Sequence, residues 1–576
     1  MKNALVRSLT LLLWASFALS AAELWKHEAP DGVKWMHVTF AGNFIYGTDA
    51  GIYSLEPATG KVAWKRDDLK KIPEANVEEI EGTPVMLVAE NTGAVSVKSK
   101  MYALDMTSGE TLWETDQAKG LIADVVPVYS KDMVVLVTAA AGGKAALGLL
   151  ALNIASGKVM WESAIDDKAD LYIAEKGSRF FPRFDLRGHA KPTVTEDAIY
   201  FAYAGVHKVD LASGKVVWKL AYDVTEKAFA KTNASPIITD ALVYTSAKGE
   251  IRAFDKQNGG LKWKSADFGT GVAQMELVDG VLYGRMGGMF KDANSHNFAS
   301  RKPIGVVALD AVSGTLKWRY EDARESITNM LVLSATKTLM VADGKNLIGL
   351  AMEASGNKVK EAFKVPLEFK AKGPGAGMKI AKIGFGALRG GAIGALKGAA
   401  GPPPEPPVAL VQRENGLVVV RGTQHLMGFD PQKRELAWTV RIDPPGLSNF
   451  MKIATNAAFA MSFMADTAQA ASTYRGTSEN DWANANRMKT MDQWDKAVAK
   501  RYTKTSVTSN YVYMLADVKT PDGKGPGIVG VNLNNGEEER SVYFGDREPE
   551  YVADEVDGIV FRTHKTGKTI TASEVR

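Results

Sequence analysis

The sequence predicts an all-β propeller, a ring of small antiparallel sheets. Three observations lead to this fold class: one short motif recurs along the chain, alternating apolar strands precede its copies, and the copies are spaced at about the length of a propeller blade. Such a period means that each repeat is one unit, which buries its apolar face only against its neighbours. A closed ring also protects strand edges that an open sheet would expose.

The recurring motif reads Ala-Leu-Asp-x-x-Ser-Gly-x-x-x-Trp, and we call it the turn motif. Its clearest copies span 102–113 and 307–318, and six copies end at a tryptophan: Trp64, Trp113, Trp161, Trp218, Trp263 and Trp318. Three further copies are degenerate, with Lys360 or Arg540 in place of the tryptophan, or Arg434 in place of the glycine before Trp438. Successive tryptophans of the first six copies lie 45 to 57 residues apart, and blades of this kind have about 40–50 residues.

Each copy of the turn motif is expected to form a strand, a tight turn and a second strand. Apolar runs such as 198–203 and 242–246 precede the copies, and their β-branched and aromatic residues favour strands. Glycine supplies the positive φ that a narrow hairpin requires. The tryptophan is expected to cover the seam between neighbouring sheets, where its indole N–H can find a hydrogen-bond partner.

The turn motif resembles the repeat of PQQ-like propellers, a family that includes pyrroloquinoline-quinone dehydrogenases and the BamB lipoproteins of outer-membrane β-barrel assembly. The resemblance covers most of the chain from about Glu23 onward, and it implies eight four-stranded blades. Nine copies exceed that number, so we expect some of them to lie in irregular or accessory hairpins. Residues 23–26 are expected to complete the last blade, beside 558–561 and 569–572. The repeated residues belong to turns and seams, so the resemblance identifies the fold and not the function.

The N-terminus has the features of a secretory signal peptide. Lys2 and Arg7 precede an apolar run from Leu9 to Leu19, and small residues follow at Ser20, Ala21 and Ala22. Two insertions interrupt the later repeats. The predicted organisation is a signal peptide at 1–22, propeller blades at 23–369, a cationic Gly/Ala/Pro-rich insertion at 370–407, a blade at 408–447, a helical insertion at 448–505 and closing blades at 506–576.

Export places the protein in the periplasm or at the exterior of a bacterial cell. The chain has no cysteine, which excludes disulfides, thiolate metal sites and haem attachment through thioethers. Ala22 stands where a lipoprotein would carry its acylated cysteine, so we expect no lipid anchor. The formal net charge falls from +4 to +2 when Lys2 and Arg7 leave with the signal peptide. Without a sustained basic stripe, nucleic-acid binding has no support.

The first insertion, 370–407, carries basic residues and no acid between Glu368 and Glu405. Its glycine content disfavours a helix, so we expect a low-complexity loop that ends in a stiff polyproline segment. The alternative is a peripheral contact with a membrane or a partner, made by Lys379, Lys382, Arg389 and Lys397.

The second insertion, 448–505, is predicted to form a helical hairpin. Its first helix covers 450–465, with Ser448 as the N-cap, and its second helix covers roughly 482–501. The Met- and Phe-rich faces are expected to pack against the propeller. A recognition surface is the alternative, because methionine side chains repack easily.

Evidence for chemistry is weak in this sequence. A quinoprotein dehydrogenase would need PQQ, a calcium ion held by oxygen ligands and an aspartate base, yet no acidic cluster stands apart from turn positions. The histidines are scattered without metal-ligand spacing, and each is expected at the surface or in a loop: His27, His37, His189, His207, His296, His425 and His564. Loop 179–189 is the one candidate to line a funnel, although a blade connection with packed aromatics is the favoured interpretation. No catalytic, cofactor or metal residue is assigned.

The sequence therefore favours an exported, non-catalytic propeller that acts as a protein-binding scaffold in the bacterial envelope, as a monomer or as part of a complex. Outer-membrane protein assembly is the process that the resemblance implies. Two alternatives stay open: a PQQ- and calcium-dependent quinoprotein dehydrogenase, and an envelope-surface module that contacts membrane or polymer through its cationic insertion.

Overall fold

The computed structural model describes most of the chain between residues 23 and 575. It does not describe 40, 81–82, 93–97, 141–146, 176–182, 225, 227–228, 293–297, 368–408, 414, 423–424, 443–510, 521–522, 546–548, 555 and 565–566, nor the terminal residues 1–22 and 576. The described residues form antiparallel sheets and three short 3-10 turns, at Glu74–Asn76, Tyr129–Lys131 and Ser334–Thr336, with no α-helix among them.

Ten sheets follow one another around a ring in the described part of the chain, and we number these blades in chain order. The N-terminal strand β1 (Glu23–Glu28) belongs to the last of them. Blade 1 contains β2 (Val33–Val38), β3 (Phe44–Thr48), β4 (Ile52–Leu55) and β5 (Val62–Arg66). Blade 2 contains β6 (Val77–Glu79), β7 (Val85–Thr92), β8 (Lys98–Asp105) and β9 (Thr111–Thr115). Blade 3 contains β10 (Leu121–Val128), β11 (Met133–Ala139), β12 (Leu147–Asn153) and β13 (Val159–Asp166).

A separate two-stranded sheet, β14 (Leu171–Glu175) and β15 (Arg183–Leu186), precedes blade 4. Blade 4 contains β16 (Ala190–Val194), β17 (Ala198–Ala202), β18 (Gly205–Asp210) and β19 (Val216–Ala221). Blade 5 contains β20 (Ile237–Ile238), β21 (Leu242–Ala247), β22 (Glu250–Asp255) and β23 (Leu261–Lys264). Blade 6 contains β24 (Val272–Val278), the long pair β25 (Val281–Lys291) and β26 (Phe298–Asp310), and β27 (Leu316–Tyr320).

Blade 7 contains β28 (Leu331–Leu333), β29 (Thr338–Ala342), β30 (Asn346–Ala351) and β31 (Phe363–Pro366). Blade 8 contains β32 (Ala409–Gln412), β33 (Val418–Arg421), β34 (His425–Asp430) and β35 (Glu435–Arg441). Blade 9 has three described strands, β36 (Tyr511–Thr520), β37 (Gly523–Asn532) and β38 (Glu538–Tyr543). Blade 10 contains β39 (Pro549–Asp554), β40 (Ile559–His564), β41 (Thr569–Glu574) and, as its outer strand, β1.

Ten buried apolar clusters join each blade to the next, and one of them closes the ring. That cluster joins Trp25 and Phe561 of blade 10 to Phe44 and Tyr46 of blade 1. Strand β1 pairs with β41 along Glu23–Glu28, so the predicted pairing of 23–26 with the last blade is confirmed. The hydrophobic core is therefore a chain of seams between blades, as expected for repeats that bury their apolar faces on their neighbours.

The prediction of an all-β propeller is confirmed, but the predicted number of eight blades is wrong. Each of the nine turn motifs lies between the last two strands of its own sheet, as at 106–110 in blade 2, and blade 10 adds a tenth sheet. No copy lies in an accessory hairpin. The degenerate copies form blades because their strands alternate as the others do, although their tryptophan or glycine has changed. The predicted helical hairpin at 448–505 lies outside the described residues.

The turn motif is built by one carboxylate and one glycine. In blade 2, the Asp105 carboxylate accepts hydrogen bonds from the backbone N–H of Thr107 at 2.7 Å and from its hydroxyl at 2.6 Å. Gly109 then has φ of 70° and donates its N–H to the Asp105 carbonyl at 2.7 Å. The same bonds to Ser313 hold the pKa of the Asp310 carboxyl in blade 6 below its usual value. The turn is thus stabilised by hydrogen bonds within one repeat.

The tryptophan of one blade packs on the turn motif of the next blade and donates a hydrogen bond to it. Trp161 of blade 3 donates its Nε1–H to the carbonyl of Leu211 in blade 4 at 2.8 Å, and its ring lies against Gly214. The same donation occurs from six other tryptophans: Trp25 to Pro57, Trp64 to Met106, Trp113 to Ile154, Trp218 to Lys256, Trp263 to Ala311 and Trp318 to Met352. The predicted role of tryptophan at the seams is confirmed.

Candidate functional site

The two faces of the ring differ in their connections. Within a blade we name the strands a to d in chain order; the a strands of blades 1 and 10, and of blades 7 and 8, contact one another, so a lies toward the ring axis. Because the strands alternate in direction, the a–b and c–d turns lie on one face, the turn face. The b–c turns and the d–a links lie on the other, which we call the connection face.

Long segments are concentrated on the connection face. The d–a links include 167–189 and 222–236, which are described in part, and 321–330, whereas most c–d turns are as short as 311–315. The chain also leaves this face after Leu367 and returns to it at Ala409, on either side of the first insertion. After Ile442, which follows the outer strand of blade 8, it leaves the same face toward the second insertion. The insertions that distinguish this chain from a plain ring therefore start on one side.

The described links on this face contact one another and form an ordered rim over blades 3 to 7. We define the rim as the described residues within 167–189, 222–236, 286–305 (the outer part of the β25–β26 hairpin) and 321–330. Tyr172 and Ala230 share a small buried cluster, and Asn233 donates its Nδ2–H to the Gly188 carbonyl at 3.1 Å. The rim therefore links the β14–β15 sheet to the segment that precedes blade 5.

The outer β25–β26 hairpin extends the rim toward blade 7. Ala230 donates its N–H to the Lys291 carbonyl at 3.0 Å, and Phe229 pairs with Asp292 through an isolated β-bridge. Arg301 lies 3.4 Å from the Glu226 carboxylate, and its guanidinium carbon lies 5.1 Å from the centre of the Phe229 ring. Ser300 also donates its hydroxyl to the Glu325 carbonyl in the 6–7 link at 3.1 Å. Backbone, ionic and aromatic contacts together give this face a fixed surface.

Two of the histidines occupy different places from those predicted. His207 is in strand β18 and His425 begins β34, and both are buried, so the expectation of surface or loop positions is wrong for these two. Burial lowers the pKa of His207, whose Nε2 lies 3.1 Å from the Tyr203 carbonyl oxygen. Both histidines lie in the third strand of a four-stranded blade. Side chains on the two faces of such a strand pack against the neighbouring blades, so both histidines are buried.

Loop 179–189 connects blade 3 to blade 4, as the favoured interpretation stated. Its described part contains strand β15 and ends at His189, whose Nε2 lies 2.9 Å from the Asp124 carboxylate and whose ring centre is 5.0 Å from that of Phe201. The pair joins the inner strand of blade 3 to the rim. The His189–Asp124 pair therefore positions the connection between blades 3 and 4. The sequence could not indicate this pair, because the two residues are 65 positions apart.

A cavity of about 540 Å3 lies on the turn face at the seam of blades 6 and 7. Lys317, Lys337, Asp279 and Glu353 line it together with Tyr283 and Met352. The c–d turn of blade 7 is shifted here: Gly356 donates its N–H to the Lys317 carbonyl at 3.0 Å, and a methyl group on its α-carbon would meet nothing within 4 Å. The cavity is lined by both positive and negative side chains, so its charge does not indicate one class of ligand.

The residues proposed for membrane or partner contact, Lys379, Lys382, Arg389 and Lys397, lie outside the described residues. Within the described ranges, no group of three or more His, Asp or Glu side chains is placed to hold a metal ion. The described part of the chain also contains no helix with the length and hydrophobicity that crossing a bilayer requires.

Comparison with known proteins assigns the repeats. The family model described as outer membrane protein assembly factor BamB matches residues 15–173 and 202–361, which is more than half of the chain. No curated protein sequence matches. Among solved structures, BamB from Moraxella catarrhalis is 13% identical with a TM-score of 0.34, and the match covers 71% of this chain and 97% of that one.

Two further structures show the range of similar proteins. The computationally designed Ika8 protein is 12% identical with a TM-score of 0.34, over 70% of this chain and 96% of that one. Quinohemoprotein alcohol dehydrogenase from Comamonas testosteroni is 13% identical with a TM-score of 0.35, over 79% of this chain and 74% of that one. The family assignment rests on the family model and not on these structures.

Proposed function

Because the chain belongs to the family described as outer membrane protein assembly factor BamB, we propose that it is an exported, non-catalytic scaffold that binds a protein of the bacterial envelope during outer-membrane protein assembly. Export rests on the signal-peptide features of 1–22. The periplasm is its proposed location. The partner is a protein component of the assembly machinery, bound reversibly in a complex.

One observation carries the proposal: the long connections lie on one face, and their described residues contact one another in the rim. A rigid ring that presents loops on one side offers a surface for loop docking and strand addition. The contacts of Arg301 with Glu226 and of Asn233 with the Gly188 carbonyl fix this surface before binding. Such pre-organisation lowers the entropy that a complex must lose on association.

Direct binding tests the proposal. Purified mature protein, residues 23–576, is titrated into the outer-membrane barrel assembly complex of the same organism in detergent, and the complex is followed by size-exclusion chromatography and interferometry. We expect saturable binding with a Kd below about 10 μM, as for a reversible complex. If the protein does not bind the complete complex at this concentration, the proposed role in outer-membrane protein assembly is contradicted.

The two alternative functions need separate experiments. Titration with PQQ and Ca2+, followed by absorbance and by dye-linked oxidation of alcohols and sugars, tests the dehydrogenase; stoichiometric binding with turnover would overturn the scaffold. Deletion of 370–407 tests the envelope-surface module, with association to anionic liposomes as the readout. If the deletion leaves liposome association unchanged, this insertion does not hold the protein on a membrane.

A further inference from the structure

The outer strand of blade 6 is paired with a short segment of blade 7. Gly356 lies opposite Trp318 in a parallel β-bridge and donates its N–H to the Lys317 carbonyl at 3.0 Å. Val359 donates its N–H to the Arg319 carbonyl, also at 3.0 Å. The segment therefore runs parallel to β27 along its outer edge. This pairing shows that the outer edge of a blade in this ring accepts a strand from outside its own sheet.

Blade 3 presents the same edge without such a segment. The register of β13 around Trp161 repeats that of β27 around Trp318, because each tryptophan lies opposite an alanine of the preceding strand, beside a bulge. The carbonyl groups of Met160 and Glu162, on either side of Trp161, therefore point outward. Within the described part of the chain, β12 is the only strand that pairs with β13. This outer edge is open to a strand from another chain.

Strand β13 is the longest outer strand described and has little of the protection that edge strands usually carry. It has eight residues, whereas the outer strands of the other blades have four to seven. Shortness and charge normally protect such edges. In β13, Val159 and Met160 are 39% and 44% exposed, and Ala164 is exposed as well. Glu162 supplies the only charge before the last residue of the strand, and its carboxylate lies 2.8 Å from Nζ of Lys119.

The segment on blade 6 indicates the chemistry of a strand that suits this edge. Its small residue Gly356 lies opposite the tryptophan, and Lys358 lies 3.6 Å from the Asp322 carboxylate just beyond β27. On blade 3, Asp166 ends β13 and Asp167 follows it. A parallel strand added here is therefore expected to have a small residue opposite the tryptophan and a basic residue near its C-terminal end, where opposite charges meet.

The open edge is continuous with the rim. Strand β13 ends at Asp166, and the rim begins at the next residue. Asp170 in this part of the rim lies 2.9 Å from the Arg187 guanidinium, which also lies over the ring of Tyr172. A partner that docks on the rim at blade 3 therefore meets the strand edge directly beside it. Two contacts made by one partner strengthen each other, because the second is intramolecular once the first has formed.

We propose that the outer edge of β13 is a strand-addition site, where an envelope protein that docks on the rim contributes an extended segment as a parallel fifth strand of blade 3. The inference rests on the proposed scaffold function and specifies which edge is used and what kind of strand it takes. Main-chain hydrogen bonds supply affinity, and the small and basic residues of the added strand supply selectivity.

Hydrogen exchange followed by mass spectrometry tests the site directly. The mature protein is compared free and bound to the outer-membrane barrel assembly complex of the same organism. We expect the outward N–H groups of Glu162 and Ala164 to exchange rapidly in the free protein and at least about tenfold more slowly in the complex, with no change in β19. Slow exchange in the free protein overturns the proposal. It identifies a second copy as the occupant if it depends on protein concentration, and a segment of the same chain if it does not.

Proline variants test the main-chain bonds. Ala164→Pro removes an outward N–H and leaves the bonds to β12 in place, so the variant should fold. We expect its Kd for the assembly complex to rise at least about tenfold. Ala221→Pro is the matched control, because Ala221 is exposed and lies at the same distance after the tryptophan in the outer strand of blade 4. It should bind like the unaltered protein.

A second pair of variants does not alter the backbone. Met160→Lys places a charge on the open edge, which is how edge strands are commonly protected, and it should weaken binding. Val217→Lys is its control, at the exposed position before the tryptophan of blade 4. If Ala164→Pro and Met160→Lys both bind the complex as tightly as the unaltered protein, strand addition at β13 is wrong and the scaffold function stands. If the unaltered protein does not bind, the scaffold function is contradicted and this inference with it.

Discussion

Gly214 lies so close to the indole of Trp161 that a methyl group on its α-carbon would be 2.5 Å from ring atom Cε3. The two residues belong to consecutive blades, and the Trp161 Nε1–H also reaches the Leu211 carbonyl in the same turn. One residue pair thus couples the local geometry of a turn to the seam between two sheets. The recurrence of this pair explains why glycine and tryptophan return together along the chain.

Gly214→Ala is expected to destabilise the ring through this contact. The change adds strain at φ of 69° and a clash with Trp161, and we expect the free energy of unfolding to fall by about 2–4 kcal/mol. Gly280→Ala is the matched control, because Gly280 has a similar φ of 75° but faces open space. There the loss should be about 1 kcal/mol. Urea unfolding measures both; equal losses would refute a role for the ring contact.

Replacing tryptophan by phenylalanine should separate the indole hydrogen bond from the packing. Trp161→Phe removes the donor to the Leu211 carbonyl. Trp438→Phe is the comparison, because the Nε1 of Trp438 is buried without a partner among the described residues. Both changes lose ring volume, but only the first leaves a carbonyl unsatisfied, so we expect it to cost about 1–2 kcal/mol more. Comparison of the two unfolding free energies checks this. An equal cost would mean that the indole bond adds nothing to the seam.

Ring closure depends on Trp25. Its Nε1–H donates to the Pro57 carbonyl at 2.8 Å, and its ring centre lies 5.8 Å from that of Phe561. Trp25→Ala should lower the free energy of unfolding by about 3–5 kcal/mol and expose β1 to proteolysis. The neighbouring Leu24 is 39% exposed, so Leu24→Ala should change stability by less than about 0.5 kcal/mol. Limited proteolysis and thermal unfolding test this pair, and similar behaviour of both variants would argue against closure through Trp25.

Glu276 should make the protein less stable as the pH rises. Burial raises the pKa of its carboxyl above the ordinary value of 4.5, so the folded state binds the proton more tightly than the unfolded state. Stability therefore falls as the pH rises from the unfolded pKa through the folded one. Glu276→Gln should be more stable than the unaltered protein at pH 7 and should lose this advantage below about pH 4. A stability difference that does not change with pH would show that ionisation is not its cause.

The seams could be predicted from the sequence because each repeat contains both halves of the interaction. The aspartate, glycine and tryptophan act within one turn and one seam, so their spacing is visible along the chain. Two of the degenerate copies follow the same rule. Blade 7 has Lys360 in place of the tryptophan, and blade 8 has Arg434 in place of the glycine that this tryptophan would contact. With no indole to accommodate, the arginine has φ of 57° and lies 5.5 Å from the centre of the Phe363 ring.

The blade number and the binding face could not be predicted in this way. Eight blades came from the resemblance, and the number of turn motifs, nine plus the blade closed by β1, was the better guide. The rim depends on contacts between distant residues, such as Arg301 with Glu226, which are 75 positions apart and have no local signature.

The central claim, that the connection face binds a protein of the assembly machinery, is tested most directly by blocking one face at a time. The chain has no cysteine, so Asp167→Cys and Arg324→Cys on the connection face, and Val312→Cys on the turn face, each give one site for a bulky polyethylene glycol maleimide. All three positions are exposed. We predict that modification at 167 or 324 abolishes binding to the assembly complex, while modification at 312 leaves it intact. Binding that survives at 167 and 324 but fails at 312 would contradict the account.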